Sequence, residues 1–229
     1  MIIGGLQKFS ISDFPGRISA IVFTRGCNFR CPYCHNPELV DPSLYADPIP
    51  QSRVLEFLCD RTSRLQGVVV TGGEPTLHPD LPEFLSSVKK LGFDTKLDTN
   101  GSNPDLLQEI IAMRLVDYVA IDVKAPLDGY RRVTGVEAST ADIERSIRLV
   151  IGSGLSHELR TTYEESLLSP GDLREIALLS RGAHLLVLQS FRPTKTLAPD
   201  MRARRTPDSA CLDRARQVME GAGVPLQIR

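Results

Sequence analysis

The chain has 229 residues, 41% of them apolar and 24% charged, and a net charge of −1. That size and balance describe a globular protein able to bury a full core, most simply as one domain over residues 1–229. They exclude an electrostatic case for nucleic acid or an acidic membrane surface as partner, and no apolar run is long enough to span a bilayer.

Five cysteines, an odd number and mostly clustered, argue for a reducing compartment rather than a disulfide framework. The first residues, Met-Ile-Ile-Gly-Gly-Leu-Gln-Lys, lack the charged region, apolar stretch and cleavage site of an export signal, so the expected location is the cytoplasm. Cys59 and Cys211 fall in stretches of helical period and are expected to be buried, inert thiols.

Apolar runs and amphipathic stretches alternate along the chain. Strands are predicted over 18–24, 67–71, 93–99, 118–123, 158–162, 185–190 and, more weakly, 225–228. Helices are predicted over 52–65, 81–91, 104–115, 140–151, 170–180 and 209–220. Asp80 and Asn103 stand where helix N-caps are expected, each just ahead of a helix with an early proline. Gly92 and Gly152 stand where C-cap glycines are expected. Strand–helix repetition implies a parallel sheet, either doubly wound or a complete or partial βα barrel.

Taken in order, these elements end in polar clusters. The first strand leads straight into Cys27, Cys31 and Cys34, a C-x3-C-x2-C run on a loop over 25–37. Three thiolates so spaced can hold three irons of a [4Fe–4S] cluster and leave the fourth iron open, whereas ferredoxin-type sites supply a fourth cysteine. Rival readings of the same residues are a dithiol redox motif, a c-type haem attachment through Cys31-Pro-Tyr-Cys34-His35, and a Cys3His zinc site. Cys27 has no task in the dithiol reading, and haem attachment normally requires export.

The second strand ends in Thr71-Gly-Gly-Glu74, where glycines allow close backbone approach and a carboxylate can accept from an ammonium group. The plain alternative is a tight turn with Glu74 near a helix N-terminus. The third ends at Asp98-Thr-Asn-Gly101, which also reads as turn chemistry. The fourth ends at Asp122-Val-Lys124, two charges on one strand face. Buried there they would be a poor source of stability, which favours a ligand-binding role. Arg160-Thr-Thr162 and Gln189-Ser190 end the next two. Polar groups at so many strand ends favour a barrel mouth over the single switch point of an open sheet. Tyr33 is suited to pack on a flat ring or to cover the cysteines, and His35 reads first as an exposed loop histidine. The basic stretch Arg202-Ala-Arg-Arg205 reads as a partner contact or a solvated face.

In combination, C-x3-C-x-aromatic-C followed by Gly72-Gly73-Glu74-Pro75 resembles the radical S-adenosylmethionine enzymes. The stretches Asp13-Phe-Pro-Gly16, Gly26-Cys-Asn-Phe-Arg-Cys-Pro-Tyr-Cys-His-Asn-Pro37 and Asp122-Val-Lys124 are similar to the glycyl-radical activating enzymes. Within that group the chain resembles the activators of anaerobic ribonucleoside-triphosphate reductase, strongly over residues 1–130 and at Leu188-Gln-Ser-Phe-Arg-Pro193, weakly over 163–169.

The resemblance implies an α/β fold, a partial (βα)6 barrel of TIM type whose parallel sheet opens at its C-terminal strand ends. It implies an oxidoreductase with a [4Fe–4S] cluster on Cys27, Cys31 and Cys34. It implies S-adenosyl-L-methionine chelating the fourth iron, with Gly72, Gly73 and Glu74 at the methionine amino end. Asp98, Asp122 and Lys124 would meet the ribose, the methionine part or a cation near it, Tyr33 the adenine, and Arg192 is a further candidate. Reduction by flavodoxin or ferredoxin would cleave the cosubstrate to a 5′-deoxyadenosyl radical, which would take hydrogen from a glycine of a partner enzyme. Anaerobic ribonucleotide reductase is the first candidate partner, with no nucleic acid and no membrane involved. Alternatives are activation of pyruvate formate-lyase, small-molecule radical chemistry of the deazaguanine synthase type, and an iron–sulfur or zinc protein without catalysis.

Overall fold

The computed structural model describes all residues, 1–229. Its strands are β1 (Ile3–Ser10), β2 (Ser19–Thr24), β3 (Gly67–Gly72), β4 (Asp94–Thr99), β5 (Tyr118–Asp122), β6 (Ser156–Tyr163), β7 (Leu186–Ser190) and β8 (Leu226–Ile228). Its helices are α1 (Pro37–Val40), α2 (Gln51–Cys59), α3 (Leu81–Lys90), α4 (Pro104–Ala112), α5 (Tyr130–Thr134), α6 (Thr140–Gly152), α7 (Pro170–Leu179) and α8 (Ser209–Glu220). The fold is α/β: each of the six strands β2–β7 is followed by helix before the next strand. Strand order equals chain order, so β1 and β8 are edges and the sheet does not close.

The chain divides into two compact units. The first takes Met1–Asn28, Glu38–Thr99 and Asp105–Val119; the second takes Phe29–Pro37, Asn100–Pro104 and Ala120–Arg229. In the first, β1 lies antiparallel to β2, and β2, β3 and β4 run parallel. The unbranched register from Ser19↔Gly67 to Thr24↔Gly72 brings the ends of β2 and β3 level, which sets the start of the cysteine loop beside the Gly-Gly-Glu turn. Val68, Val69 and Val70 are wholly buried, as β-branched residues in a strand covered on both faces should be. Phe14 of the Asp-Phe-Pro-Gly turn packs on Ile21 and Val69, with Phe23 and Tyr118 against them. In the second unit β6, β7 and β8 are parallel. There α7 begins with a capping box, Ser169 with Asp172, and α8 is capped by Asp208 accepting from the Cys211 amide.

The seven predicted strands and six predicted helices are present; the short helices α1 and α5 are additional, α4 ends at Ala112, and four further differences stand out. β1 was not foreseen: Gly4-Gly5 breaks any period-two pattern, and the strand forms because β2 is there to pair with it. α2 stops at Cys59 rather than continuing to 65, because Asp60, Thr62, Ser63 and the following residues turn the chain. Cys59 is therefore exposed at a helix end, not buried, while Cys211 is buried as expected. Asp80 sits at the α3 N-cap position, but its carboxylate accepts from Gln51 Nε2 at 3.0 Å and not from the helix. Helix α6 runs through Gly152, and the left-handed φ of 75° belongs to Gly154 instead; Gly92 does take the left-handed turn, at 87°.

One buried histidine makes stability pH-dependent. His157 is 1% exposed, its Nδ1 faces the Leu155 carbonyl at 2.8 Å, and its Nε2 accepts the His184 amide at 3.1 Å. Only the neutral ring satisfies both. Burial lowers its pKa, a backbone hydrogen bond to Leu155 opposes that, and His184, stacked at 4.1 Å, adds to the lowering. Because the folded pKa lies below the unfolded value of about 6.5, this contribution is present above that value and is lost as pH falls through the folded one. The urea midpoint should therefore drop between pH 7 and pH 5, and the His157→Asn variant should show a flatter dependence. Equal slopes for both proteins would remove His157 as the cause.

Candidate functional site

The first unit holds Cys27, the Gly-Gly-Glu turn and Asp98. Gly26 is fixed just before Cys27: its N–H donates to the Leu39 carbonyl at 2.7 Å, and its carbonyl accepts from the Glu74 amide at 2.8 Å. A Cβ on Gly73 would lie 2.0 Å from the Gly26 oxygen and one on Gly72 would lie 2.4 Å from the Thr24 nitrogen. Gly72 also has a φ of 118°, open to glycine and strained for other residues. The close approach these glycines permit is thus made by the protein's own backbone.

Glu74 is 0% exposed. Its Oε1 accepts from the Thr76 amide at 3.0 Å, the Thr76 hydroxyl at 2.6 Å and the Thr99 hydroxyl at 2.6 Å. Glu74 therefore caps the short 3-10 turn Pro75–Leu77, the plain alternative the sequence allowed, while remaining a rigidly held carboxylate. Asp98 meets a cation the sequence reading passed over. Lys96, 1% exposed, places its Nζ 2.5 Å from Asp98 Oδ1 and 5.7 Å from the Tyr118 ring centroid. The two residues are two apart on β4 and share its face, the same period-two rule that picked out Asp122 and Lys124.

The second unit holds Cys31, Tyr33, Cys34, His35, Asp122, Lys124 and Arg192. Cys31 is buried and Cys34 half-buried, and the Cys34 amide donates to the Cys31 carbonyl at 3.0 Å in a tight turn. Burial pushes the Cys31 thiol up to about 11, with Lys124 pulling the other way. The Tyr33 ring is buried, with Lys124 Nζ 6.0 Å from its centroid, and its hydroxyl has no nitrogen or oxygen partner.

Asp122 accepts from Lys124 Nζ at 2.9 Å on one oxygen and from Arg160 Nε at 2.8 Å on the other. Burial works to raise the Asp122 pKa, but Arg160 and then Lys124 more than reverse it, so the carboxylate stays ionised far below the usual range. Burial likewise disfavours the Lys124 ammonium, and Asp122 overrides it. The ladder continues: Arg160 lies 3.9 Å from Glu158, which accepts from Arg229 at 2.9 Å. Arg160 was visible in the sequence only as one polar residue at a strand end. Tyr130 lends its hydroxyl to the Lys124 amide at 3.3 Å. The Arg192 side chain is exposed, and its carbonyl accepts from His35 Nε2 at 2.9 Å. His35 is thus a loop fastener, stacked on Phe191 at 6.1 Å.

The Arg160–Asp122 pair gives a direct test. Arg160→Met should lower stability by about 1–2 kcal/mol, the scale of a lost hydrogen bond to a half-buried charge. Adding Asp122→Asn should recover part of it, because the amide no longer needs the guanidinium. Urea midpoints read both, and a double variant that loses the sum of the two single effects would show the residues to be uncoupled.

Three cysteines on one loop are the number that a cluster with one open iron needs, although no three His, Cys, Asp or Glu side chains converge as a metal-holding group in the structure. Three thiols sit on one short loop, while Cys59 lies at the exposed end of α2 and Cys211 donates its S–H to the Tyr163 hydroxyl at 3.4 Å. Cys31, whose burial opposes a free thiolate, is a place where bound metal would supply the compensating charge.

Residues 21–172 match the radical SAM superfamily. Among sequence relatives, a Methanocaldococcus jannaschii protein named a putative glycyl-radical enzyme activating enzyme is 32% identical over 84% of this chain and 80% of its own length. The 7-carboxy-7-deazaguanine synthase of Methanothermobacter thermautotrophicus is 32% identical over 78% of this chain and 63% of its own. Among solved structures, Streptococcus suis SuiB shares the fold with a TM-score of 0.69 at 15% identity, over 91% of this chain. The chain spans about half of SuiB, 48%. With the cysteine loop and the strand-end charges in place, this match assigns the chain to the radical S-adenosylmethionine superfamily, as an enzyme that works with a [4Fe–4S] cluster and S-adenosylmethionine.

Proposed function

We propose that the chain, acting as one domain over residues 1–229, is a cytoplasmic glycyl-radical activating enzyme whose target is anaerobic ribonucleotide reductase. The similarity to the Methanocaldococcus jannaschii protein along 84% of this chain is the observation that carries the reading. When bound, the cluster and S-adenosylmethionine supply a 5′-deoxyadenosyl radical able to take hydrogen from a glycine Cα.

The chain's own residues do the rest. Cys27, Cys31 and Cys34 hold the cluster. Gly72, Gly73 and Glu74 offer backbone groups and a fixed carboxylate to the methionine amino end. Asp98, Asp122 and Lys124 meet the ribose and the methionine part, with Lys96 and Arg160 holding the two aspartates in place. Tyr33 lies against the adenine, and Arg192 is the remaining candidate contact. Buried Phe29, Tyr33 and Tyr130 keep water from the neighbourhood of Cys31. Flavodoxin or ferredoxin delivers the electron.

A second reading, modification of a small molecule, draws support from the similarity to 7-carboxy-7-deazaguanine synthase over 78% of this chain. A third, pyruvate formate-lyase as the target, differs only in the partner. The experiments are anaerobic. Wild-type protein given iron, sulfide, dithionite and S-adenosylmethionine should form 5′-deoxyadenosine, and Cys31→Ala should not. Glu74→Gln and Asp122→Asn should retain the cluster yet lose about 2 kcal/mol of cosubstrate interaction, about thirtyfold in turnover at limiting cosubstrate. Gly73→Ala should lower iron and sulfide content, because the new methyl displaces the Gly26 carbonyl next to Cys27. A glycyl doublet in the electron paramagnetic resonance spectrum of added ribonucleotide reductase supports the first reading; a doublet only with pyruvate formate-lyase selects the third. Uncoupled 5′-deoxyadenosine that rises only with an added small-molecule substrate, and with neither partner enzyme, selects the second.

A further inference from the structure

Resting on that reading, we propose that the segment over 192–205 is the docking surface for the electron donor, an acidic one-electron carrier protein. The segment carries five cationic side chains, Arg192, Lys195, Arg202, Arg204 and Arg205, against one acid, Asp200, in a chain whose net charge is −1. All five are exposed. Arg192, Arg202, Arg204 and Arg205 enter no ion pair; the guanidinium of Arg202 only grazes the Thr196 carbonyl at 3.5 Å. A charge run of this kind is ordinarily a solvated face, and its position is what sets this one apart.

The segment is stitched to the loop that bears Cys31 and Cys34. The Ala198 amide donates to the Pro32 carbonyl at 2.9 Å. His35, one residue after Cys34, donates to the Arg192 carbonyl at 2.9 Å and stacks on Phe191. Buried Met201 and Thr196 anchor the segment from beneath, so its cationic side chains are left facing outward. A carrier must bring its redox centre close to the cluster, and the 192–205 segment lies on the protein skin beside Cys31 and Cys34. The exposed arginines on that skin, Arg202, Arg204 and Arg205 foremost, attract an acidic carrier and orient it, raising association at low ionic strength. One electron passes from the reduced carrier to the oxidised cluster; the carrier is oxidised by one electron, and no bond forms or breaks.

The test compares wild type with the Arg202→Glu/Arg204→Glu/Arg205→Glu variant, both reconstituted. Binding of flavodoxin is followed through its flavin fluorescence, and cluster bleaching is followed by stopped flow with flavodoxin hydroquinone or with dithionite. The variant should bind flavodoxin at least tenfold more weakly at low salt, a difference that vanishes near 0.5 M salt. It should be reduced correspondingly slowly by flavodoxin and at the wild-type rate by dithionite. Unchanged flavodoxin binding, or equal slowing with dithionite, overturns the proposal, as does a wild type that binds neither flavodoxin nor a ferredoxin in a salt-dependent way. So does a variant that accepts electrons normally from flavodoxin but fails to form the glycyl radical, since the strip would then serve the target enzyme. Failure of the activase reading would show separately, as a wild type whose reduced cluster yields no 5′-deoxyadenosine.

Discussion

The contact on which the first half of the site depends is backbone against backbone. Gly26, immediately before the first cysteine, receives the Glu74 amide on its carbonyl, and only a glycine at 73 leaves room for that oxygen. The parallel register of β2 and β3 delivers both turns at the same height, and the hydrogen bond locks them. Glu74 then spends its side chain on Thr76 and Thr99, which removes its rotational freedom. A turn that reads in the sequence as a place for a ligand is first a joint in the protein. The two uses are compatible: a site that must hold reacting groups in one geometry benefits when its supports are fixed before the ligand arrives.

Charge is the second constraint. Lys96 with Asp98 on β4, and Asp122 with Lys124 at the end of β5, place four ionic groups where apolar side chains would pack more cheaply. Each pair is two residues apart along the strand, so local sequence alone brings the partners together. Arg160 then joins Asp122 from β6, and Glu158 and Arg229 extend the network through the second unit. Each carboxylate is already matched by a cation, so the network is assembled without a ligand. Such preorganisation lowers the cost of binding a charged cosubstrate.

Much of this was legible. Strand positions followed from short β-branched runs, helices from the 3.6 period, and the strand-end charges from the rule that residues two apart share a face. What stayed hidden was whatever depends on contacts distant in sequence. β1 has no pattern of its own, and Asp80 is diverted from its helix by Gln51. The weight of Arg160 appears only when β6 carries it to Asp122. Lys96 was within reach: it stands two residues before Asp98 on β4 and so shares its face by the same period-two rule. Cys59 was misplaced because helical period persists in the sequence past the point where Asp60 and Thr62 turn the chain.

The cysteine loop has to satisfy two opposed demands. Radical chemistry needs water kept away, while one-electron reduction needs the cluster within reach of the surface. Alternation along the loop meets both. Cys31 and Tyr33 are buried, whereas Pro32 and Cys34 are half-exposed and His35 is exposed. The inward residues face Lys124 and Tyr130, the side where cosubstrate would be kept dry. The outward ones hold the 192–205 segment, through the Pro32 carbonyl and the His35 ring. A fully buried loop would protect the cluster and isolate it from its donor; a fully exposed one would do the reverse. Tying the outer edge to the 192–205 segment keeps the exposed side ordered without burying it.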